Sequence, residues 1–543
     1  MDDTFEPATE KSNHEIKTVA VIGAGISGVV AAAHLLRAGM EVIVFERGDE
    51  IGGAWIYSEK PDRDPPFPNA RLSSRPVGTA SSDELEHAKP KTGPMPVPED
   101  AAVRVFAPPG PVYTDMKCRS DKTLMRTTLR DWPDGIQAPI DPEDVVAYVR
   151  DIAATYQVRD KVRFRTRVDS IERGDEGWRV QSSTPPPQAT SETESSFSSL
   201  ESEVWDFDAV VVAAGRNGVP RVPDVPGLSQ WKARFPGRVR HAKQYRNPAP
   251  YRGKTVLVVG AHVSALDITS HLVRGGVAKV YQSAIEREID FRGLVDCGGT
   301  CTTLEQVAMV AEFGATDGFG VTPLDDRSPI PGKVVLRDGR ILDDIHHILF
   351  ATGYLASFPF LDPVLQHPGM EPRDADETVI VTAEARTVHN LHEDIFYIPD
   401  PSLAFVGISL YVSSFSMFDV QAQVLAAVWA GRARLPSLAA MREEQRRRKS
   451  HVRLLPGMTL NGIYLLDDCV MRRLLDWVNA DAAEAGGCQS HAGILTEPDA
   501  EWWAAFRVKR EESRAVLGNL QDQYLRIYGT SWDELQSQVL HKG

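Results

Sequence analysis

Two stretches of the 543-residue chain, VAVIGAGISG from Val19 and VLVVGAHVSA from Val256, each close a hydrophobic run with small residues in the same phase. In the first, Gly23, Gly25 and Gly28, with Ser27 between them, fit a strand-to-helix turn whose backbone N–H groups can approach a pyrophosphate at the positive end of a helix. The next strand, EVIVFE, ends in Glu46, 18 residues after Gly28, with Arg47 behind it. An acid there is placed to hydrogen-bond the ribose diol of an adenine dinucleotide. In the second copy Gly260, Ser264 and Ala265 keep the phase, but the same count of 18 from Ala265 reaches Ser283, with no carboxylate and with Arg287 nearby. A carboxylate would repel a 2′-phosphate, whereas a hydroxyl and a guanidinium can hold one by charge-assisted hydrogen bonds. The contrast predicts FAD at the first turn and NADPH at the second. His262 stands where the second turn would have its middle glycine. Either its ring points away and the backbone tolerates it, or the pyrophosphate rides higher there.

These turns need βαβ units to hold them, and the expected fold class is α/β with two Rossmann-like dinucleotide-binding domains, one nested in the other. Residues 1–16 read as a frayed tail, and 17–219 with 343–440 as the FAD-binding domain. An insertion at 58–111, rich in proline and charge, interrupts it as a long excursion resembling a lid. Residues 220–342 form the NADPH-binding domain, after which KVVLRDG and HHILFATGY return the chain to the first domain. PEDVVAYVRDIAATYQV has the spacing of an amphipathic helix, VRFRTRVDSIER and GWRVQSS of strands, and Thr184 to Ser202 of a polar hairpin insertion. LAFVGISL reads as a strand and DVQAQVLAAVWAGR as a helix starting at Asp419, where an acid suits the positive N-terminus. Residues 441–543 read as a helical C-terminal extension ending outside the cofactor core.

Charge and composition limit the partners. A net charge of −15 disfavours nucleic acid and anionic membrane surfaces, either of which would want a basic face. The N-terminus is acidic where a leader would be basic, and the uncharged stretch Pro401 to Phe418 contains Gly407 and several serines, reading as a buried strand and loop instead of a membrane span. Five cysteines without CxxC spacing point to a reducing compartment, and a soluble, cytoplasmic protein follows. The oligomeric state stays open. No metal cluster stands out: His346 and His347 are adjacent, and neighbours on a strand face opposite ways.

Between the two turns lies FPGRVRHAKQY, in which Phe235, Gly237, His241 and Tyr245 fall in the order FxGxxxHxxxY/F. Here the chain resembles the class B flavin-containing monooxygenases. GGAW at Gly52 to Trp55, VVVAAGRNGVPRVPDVPG from Val210, FATGY at Phe350 to Tyr354, PVYTDMKCRSDKTLM from Pro111 and DVQAQVLAAVWAGRARLPS from Asp419 extend the resemblance over most of 17–437. His241 reads as a hinge histidine satisfied by backbone, Phe235 and Tyr245 as packing residues, and Ala351 to Gly353 as the turn re-entering the FAD domain. The resemblance places Gly53, Ala54 and Trp55 along the flavin and Ala214 in the cofactor-binding set; Trp55 either walls the ring from water or is a core aromatic. By resemblance Gln421 points at the isoalloxazine, where its amide could stabilise negative charge on reduced flavin, or it is a simple neighbour of the helix cap. At Arg119 the family usually has asparagine; a cation there pairs with a cofactor phosphate, holds an acidic group of the substrate, or bridges to Asp115 or Asp121.

The resemblance implies hydride transfer from NADPH to FAD, uptake of O2, and a hydroperoxyflavin that oxygenates a nitrogen, or a sulfur, of a small organic substrate. Arg119 and Gln421 are the side chains expected nearest that chemistry. The added elements would suit a tailoring enzyme of secondary metabolism. Baeyer–Villiger insertion into a ketone is a rival, but enzymes of that type look like FxGxxxHxxxW followed by Pro or Asp, where this chain has Tyr245 and Arg246. An NADPH-dependent flavin disulfide reductase would need a cysteine pair, and only Cys297 and Cys301 are close, at CxxxC spacing. Retention of flavin without turnover is a third possibility, kept open by His262 and Arg119.

Overall fold

The computed structural model describes residues 15–72, 106–118, 120–185, 200–284, 303–315, 325, 327–453, 461–463, 465–484 and 495–527. Strand β1 (Thr18–Ile22), helix α1 (Ile26–Arg37) and strand β2 (Glu41–Phe45) make the first βαβ start. Helix α2 (Pro142–Thr155), β3 (Val162–Arg163), β4 (Arg167–Arg173), β5 (Trp178–Thr184), β6 (Glu201–Phe207) and β7 (Ala209–Val212) follow. The run expected as one strand, VRFRTRVDSIER, is broken by the positive φ of Arg165, so β3 joins the main sheet while β4, β5 and β6 form a separate antiparallel one.

The second unit begins after β8 (Val219–Pro220) and α3 (Leu228–Arg234) with β9 (Val239–His241), β10 (Thr255–Val259), α4 (Val263–Arg274) and β11 (Lys279–Ser283). Then come β12 (Leu304–Val307), β13 (Val310–Phe313), β14 (Val334–Leu336), β15 (Ile341–Leu342) and β16 (His347–Phe350). The chain returns through β17 (Tyr354–Leu355), β18 (Leu391–His392), β19 (Phe396–Tyr397) and β20 (Leu403–Phe405). Helices α5 (Ser414–Trp429), α6 (Leu438–Arg453), α7 (Asp467–Glu484) and α8 (Ala500–Ile527) follow.

The first sheet runs β18-β19-β20-β7-β1-β2-β3 and the second β12-β11-β10-β16-β9. β1 and β10, each flanked by parallel partners, are almost wholly buried, which is why TVAVI and TVLVV are continuous hydrophobic runs. In both sheets the order reverses beside the first strand of the unit, between β1 and β7 and between β10 and β16. A crevice at the carboxyl end of such a switch point is where open α/β sheets bind ligands.

Three expectations are corrected. HHILF was assigned to the first domain from residue 343, but β16 pairs with β10 and β9, so the return comes after Phe350. The helix expected from Asp419 starts at Ser414, because the apolar residues Phe415, Met417 and Phe418 already pack inward, and Asp419 lies fully buried in its second turn. The C-terminal extension does not end outside the cofactor core: Leu466, Leu474, Trp502 and Phe506 belong to the same buried cluster as Val29, Ala32 and Val424. The tail 1–14, most of the 58–111 insertion and the middle of the 184–202 hairpin fall outside the described residues.

Candidate cofactor-binding site

The first glycine turn is shaped by close backbone approach. Gly23 has φ +106°, and a Cβ on it would lie 2.6 Å from Ala213 O at the exit of β7, with Ala214 Cα beside it. A Cβ on Gly28 would lie 1.8 Å from Gly23 O, so α1 packs directly against the turn that leads into it. Gly25 caps α1 without any side-chain hydrogen bond, and no acid sits in the first turn. Its Cα faces Gly53, where an added Cβ would meet Gly25 Cα at 2.8 Å. The amides at this helix end are open to an anion, and bare backbone on both sides leaves a pyrophosphate room to approach.

Glu46 closes the turn from the end of β2. Its Oε2 accepts from Ala24 N at 2.8 Å and its Oε1 from Gly48 N at 2.7 Å. Each carboxylate oxygen retains acceptor capacity for a hydroxyl. The acid therefore fixes the turn and keeps acceptor capacity beyond it. Arg47 beside it is exposed, and Ser27 is buried with its Oγ against Gly407, where a Cβ would come within 2.1 Å. Gly53, Ala54 and Trp55 form a single helical turn, and the half-buried Trp55 ring meets Phe415 edge to face at 6.3 Å.

The second turn repeats the frame with other side chains. Gly260 has φ +131°, its Cβ would lie 2.3 Å from Ala351 O at the exit of β16, and its N–H donates to Ser283 O at 2.8 Å. Helix α4 also lacks a side-chain cap and a first-turn acid, with Ser264 exposed there and Ala265 buried. His262 caps α4 in ordinary extended backbone (φ −90°, ψ −177°), and its ring faces Tyr411 at 6.3 Å. The backbone thus tolerates the histidine, in a conformation that any residue adopts.

Ser283 is a correction. Its side chain is 1 % exposed, its Oγ donates to Ala308 O at 3.0 Å and accepts from Val310 N at 3.1 Å. That hydroxyl ties β11 to the chain entering β13 and is not presented to a sugar. Arg287, its expected companion, lies outside the described residues, as does Arg119.

Gln421 does not open a helix; it is fully buried in the middle of α5. Its Nε2 donates to Ser409 Oγ at 3.1 Å, and Ser409 Oγ in turn donates to Asp394 Oδ2 at 3.3 Å. Because a carboxylate only accepts, the direction of this chain fixes the amide orientation and leaves Gln421 Oε1 as a buried acceptor without a partner among the described residues. An unpartnered acceptor suits an N–H donor; that is opposite in sign to the expected stabilisation of negative charge. Asp419 nearby bonds His34 Nε2 at 2.7 Å and the Thr128 N–H and hydroxyl at 2.7 Å, so it locks α5 to α1 and does not cap a helix.

The FxGxxxHxxxY string between the turns is tied down largely through backbone carbonyls. His241 is fully buried, with Nε2 at 3.1 Å from Gly353 O and Nδ1 accepting from Lys243 N, and burial holds its pKa down to about 3. A neutral, backbone-tied imidazole is no proton carrier at ordinary pH. Lys243 reaches Asp62 and Gly218 O, and the Arg246 guanidinium donates to the carbonyls of Ser58, Lys243, Tyr245 and Gly110. Sequence reasoning missed Lys243, which stands at an unnamed position of the motif, and used Arg246 only to set the ketone-oxygenating pattern aside. Tyr245 is buried, its hydroxyl 3.1 Å from His271 Nδ1.

Among the described residues one group, His392, Glu393 and Glu444, has metal-ligand spacing. Arg473 occupies Glu393 through Nε and Nη2, and Glu444, whose carboxyl burial pushes up but His392 pulls down to a net lowered pKa, lies 2.9 Å from His392 Nδ1, so these side chains already partner one another. A cavity of about 310 Å³ opens between Arg126 to Asp131, α5 and Trp502, and neither glycine turn lines it. No helix among the described residues is long and apolar enough to cross a membrane.

Comparison with known proteins agrees with this geometry. The flavin-binding monooxygenase-like family matches residues 112–288 and 330–460, and a Rossmann-like NAD(P)-binding domain matches 21–73. The chain is 33 % identical over 526 residues to the flavin-containing monooxygenase ustF2 of Aspergillus flavus, covering 93 % of this chain and 99 % of that one. It is 28 % identical to the flavin-containing monooxygenase iboF of Amanita muscaria, covering 87 % and 90 %. In fold it is similar to the S-allyl-L-cysteine S-oxygenase of Allium sativum, with a TM-score of 0.63 at 22 % identity over 97 % of this chain and 99 % of that one.

Proposed function

Since the chain belongs to the flavin-binding monooxygenase-like family, we propose that it oxygenates a nitrogen, or a sulfur, of a small organic molecule, using FAD, NADPH and O2. The observation that carries the heteroatom reading is the end of the hinge string. It reads Tyr245-Arg246, and Arg246 spends its guanidinium on four backbone carbonyls instead of facing a substrate. The ketone-oxygenating pattern has tryptophan and then proline or aspartate at these positions.

The residues present fit the two cofactors. FAD is assigned to the first turn, with the α1 amides at its pyrophosphate, Glu46 at its ribose, and Gly53 to Trp55 and Ala214 alongside. NADPH is assigned to the second, with Gly260, Ser264 and Ala265 forming the pyrophosphate turn and Arg287 the proposed 2′-phosphate cation. Bound flavin supplies the redox and oxygen chemistry. What the chain does is hold the two dinucleotides across one hinge, keep water out with buried apolar walls, and leave Gln421 Oε1 as a buried acceptor within α5. No described residue is needed as a proton carrier, in keeping with His241 held neutral. The reading extends to a secondary metabolite as substrate and a cytoplasmic location, and keeps Arg119 as a candidate contact to cofactor or substrate.

Stopped-flow absorbance tests it. Purified yellow protein should bleach with NADPH, regain its colour slowly on mixing with O2, and add one oxygen atom to an amine or sulfide as read by mass spectrometry. Fast recoloration with stoichiometric H2O2 for every amine, sulfide and ketone offered would overturn the reading.

A further inference from the structure

The loop after β20 touches the first turn, where Gly407 lies against Ser27 Oγ, and four residues on it places a ring against the second. His262 stands at the N-cap of α4, and across the crevice Tyr411, six residues after Phe405 ends β20, turns its ring to within 6.3 Å of the imidazole at a 41° tilt. Tyr411 is not there by default. Its φ is +59°, a conformation non-glycine residues rarely hold without support. The support comes from the far end of the sequence: Leu410 N donates to Asn461 O at 2.8 Å, Ile463 N to Leu410 O at 2.9 Å, and Leu465 N to Tyr411 O at 2.7 Å. Two residues on, Ser413 N donates to the buried Asp467 at the head of α7. On the other side Arg216, just past Ala214, holds Ile408 O at 2.5 Å and Arg386 O at 2.9 Å. The loop carrying Tyr411 is thereby fixed from both flanks.

We propose that His262 and Tyr411 form a ring clasp that retains the nicotinamide dinucleotide between the two turns. This rests on the reading that NADPH lies with its pyrophosphate at α4. A molecule reaching from there toward the first turn passes the line joining the two rings. The histidine that replaces the usual middle glycine is then accounted for, because it trades the easiest approach to the pyrophosphate for a partner on the opposite wall. The C-terminal segment Asn461 to Asp467 becomes a positioning element for cofactor retention.

The test uses the yellow holoenzyme, with NADP+ as the probe and its dissociation rate read by displacement with excess NADPH analogue. His262→Gly and Tyr411→Gly are both compatible with the backbone, the second relieving a positive φ. Each should speed NADP+ release by about threefold to tenfold, the range a lost aromatic pair supplies. The double variant should release no faster than either single one, since the two rings act as one contact. Tyr411→Phe should release NADP+ at the unaltered rate. Equal rates in all variants, or single effects that multiply in the double, would overturn the clasp. Loss of FAD from the unaltered chain, or no NADP+ binding to it, would instead overturn the cofactor reading.

Discussion

The two glycine turns are the same device with different finishing. Gly23 and Gly260 both sit at positive φ, both press on the carbonyl that ends the neighbouring strand, and both lead into a helix with neither a side-chain cap nor a first-turn acid. By contrast α2 carries Glu143 and Asp144 in its first turn. They part where side chains begin. The first turn has Gly28 under Gly23 O, with no room for a methyl, whereas the second accommodates Ala265. Glu46 has become part of its own turn by holding two amides, whereas Ser283 has left the crevice for β13. The turns are written in backbone and are therefore duplicated; the side chains around them are free to differ, and these have diverged.

That contrast can be broken most violently at the third small residue. Gly28→Ala should cost about 3 kcal/mol or more through overpacking and yield protein without flavin, while Ala265→Gly should cost about 1 kcal/mol and keep it; flavin absorbance per chain and thermal melts read both. Retention of flavin by Gly28→Ala would mean that the two helices pack alike. Next in size, Glu46→Gln should weaken FAD by about 10- to 100-fold in fluorescence titrations of the apoprotein, the worth of hydrogen bonds to a charged group. Ser283→Ala should leave the NADPH-over-NADH preference where it was, and any fall in that ratio would return the hydroxyl to the sugar.

A smaller effect concerns the buried acid that holds Ser413 at the start of α5. Burial raises Asp467 to about 8, against an ordinary carboxyl near about 3.9. Between those values the folded chain holds a proton that the unfolded chain has lost, so stability falls as pH rises from about 4 to about 8. Asp467→Asn should flatten this slope in urea midpoints taken at several pH values. Least of all, His241→Gln should leave the shape of the pH–rate profile unmoved, because the imidazole stays neutral throughout.

Legibility followed the same divide. The turns, the switch to a second unit and the hinge string could be read from the sequence because glycine spacing and hydrophobic runs report backbone needs directly. Ser283 was misread because counting residues gives a strand end but not which neighbour claims a hydroxyl. The start of α5 was misplaced because Asp419 looks like a capping acid when its partners, His34 and Thr128, lie hundreds of residues away in sequence. His347 was assigned to the wrong sheet for a related reason: a buried run says that it lies in a sheet, not in which one. The contribution of 461–467 left no local signal, since its hydrogen bonds to Leu410 and Tyr411 are made by backbone, which any residue provides.

Trp502, Phe506 and Leu525 fill the same core as α1. During synthesis the ribosome therefore delivers the wall of the first nucleotide unit long before its lining, and the emerging polypeptide must carry an uncovered apolar flank until the last helix leaves the exit tunnel. A stop codon ahead of α8 would thus leave a sticky, chaperone-dependent product, not a trimmed enzyme.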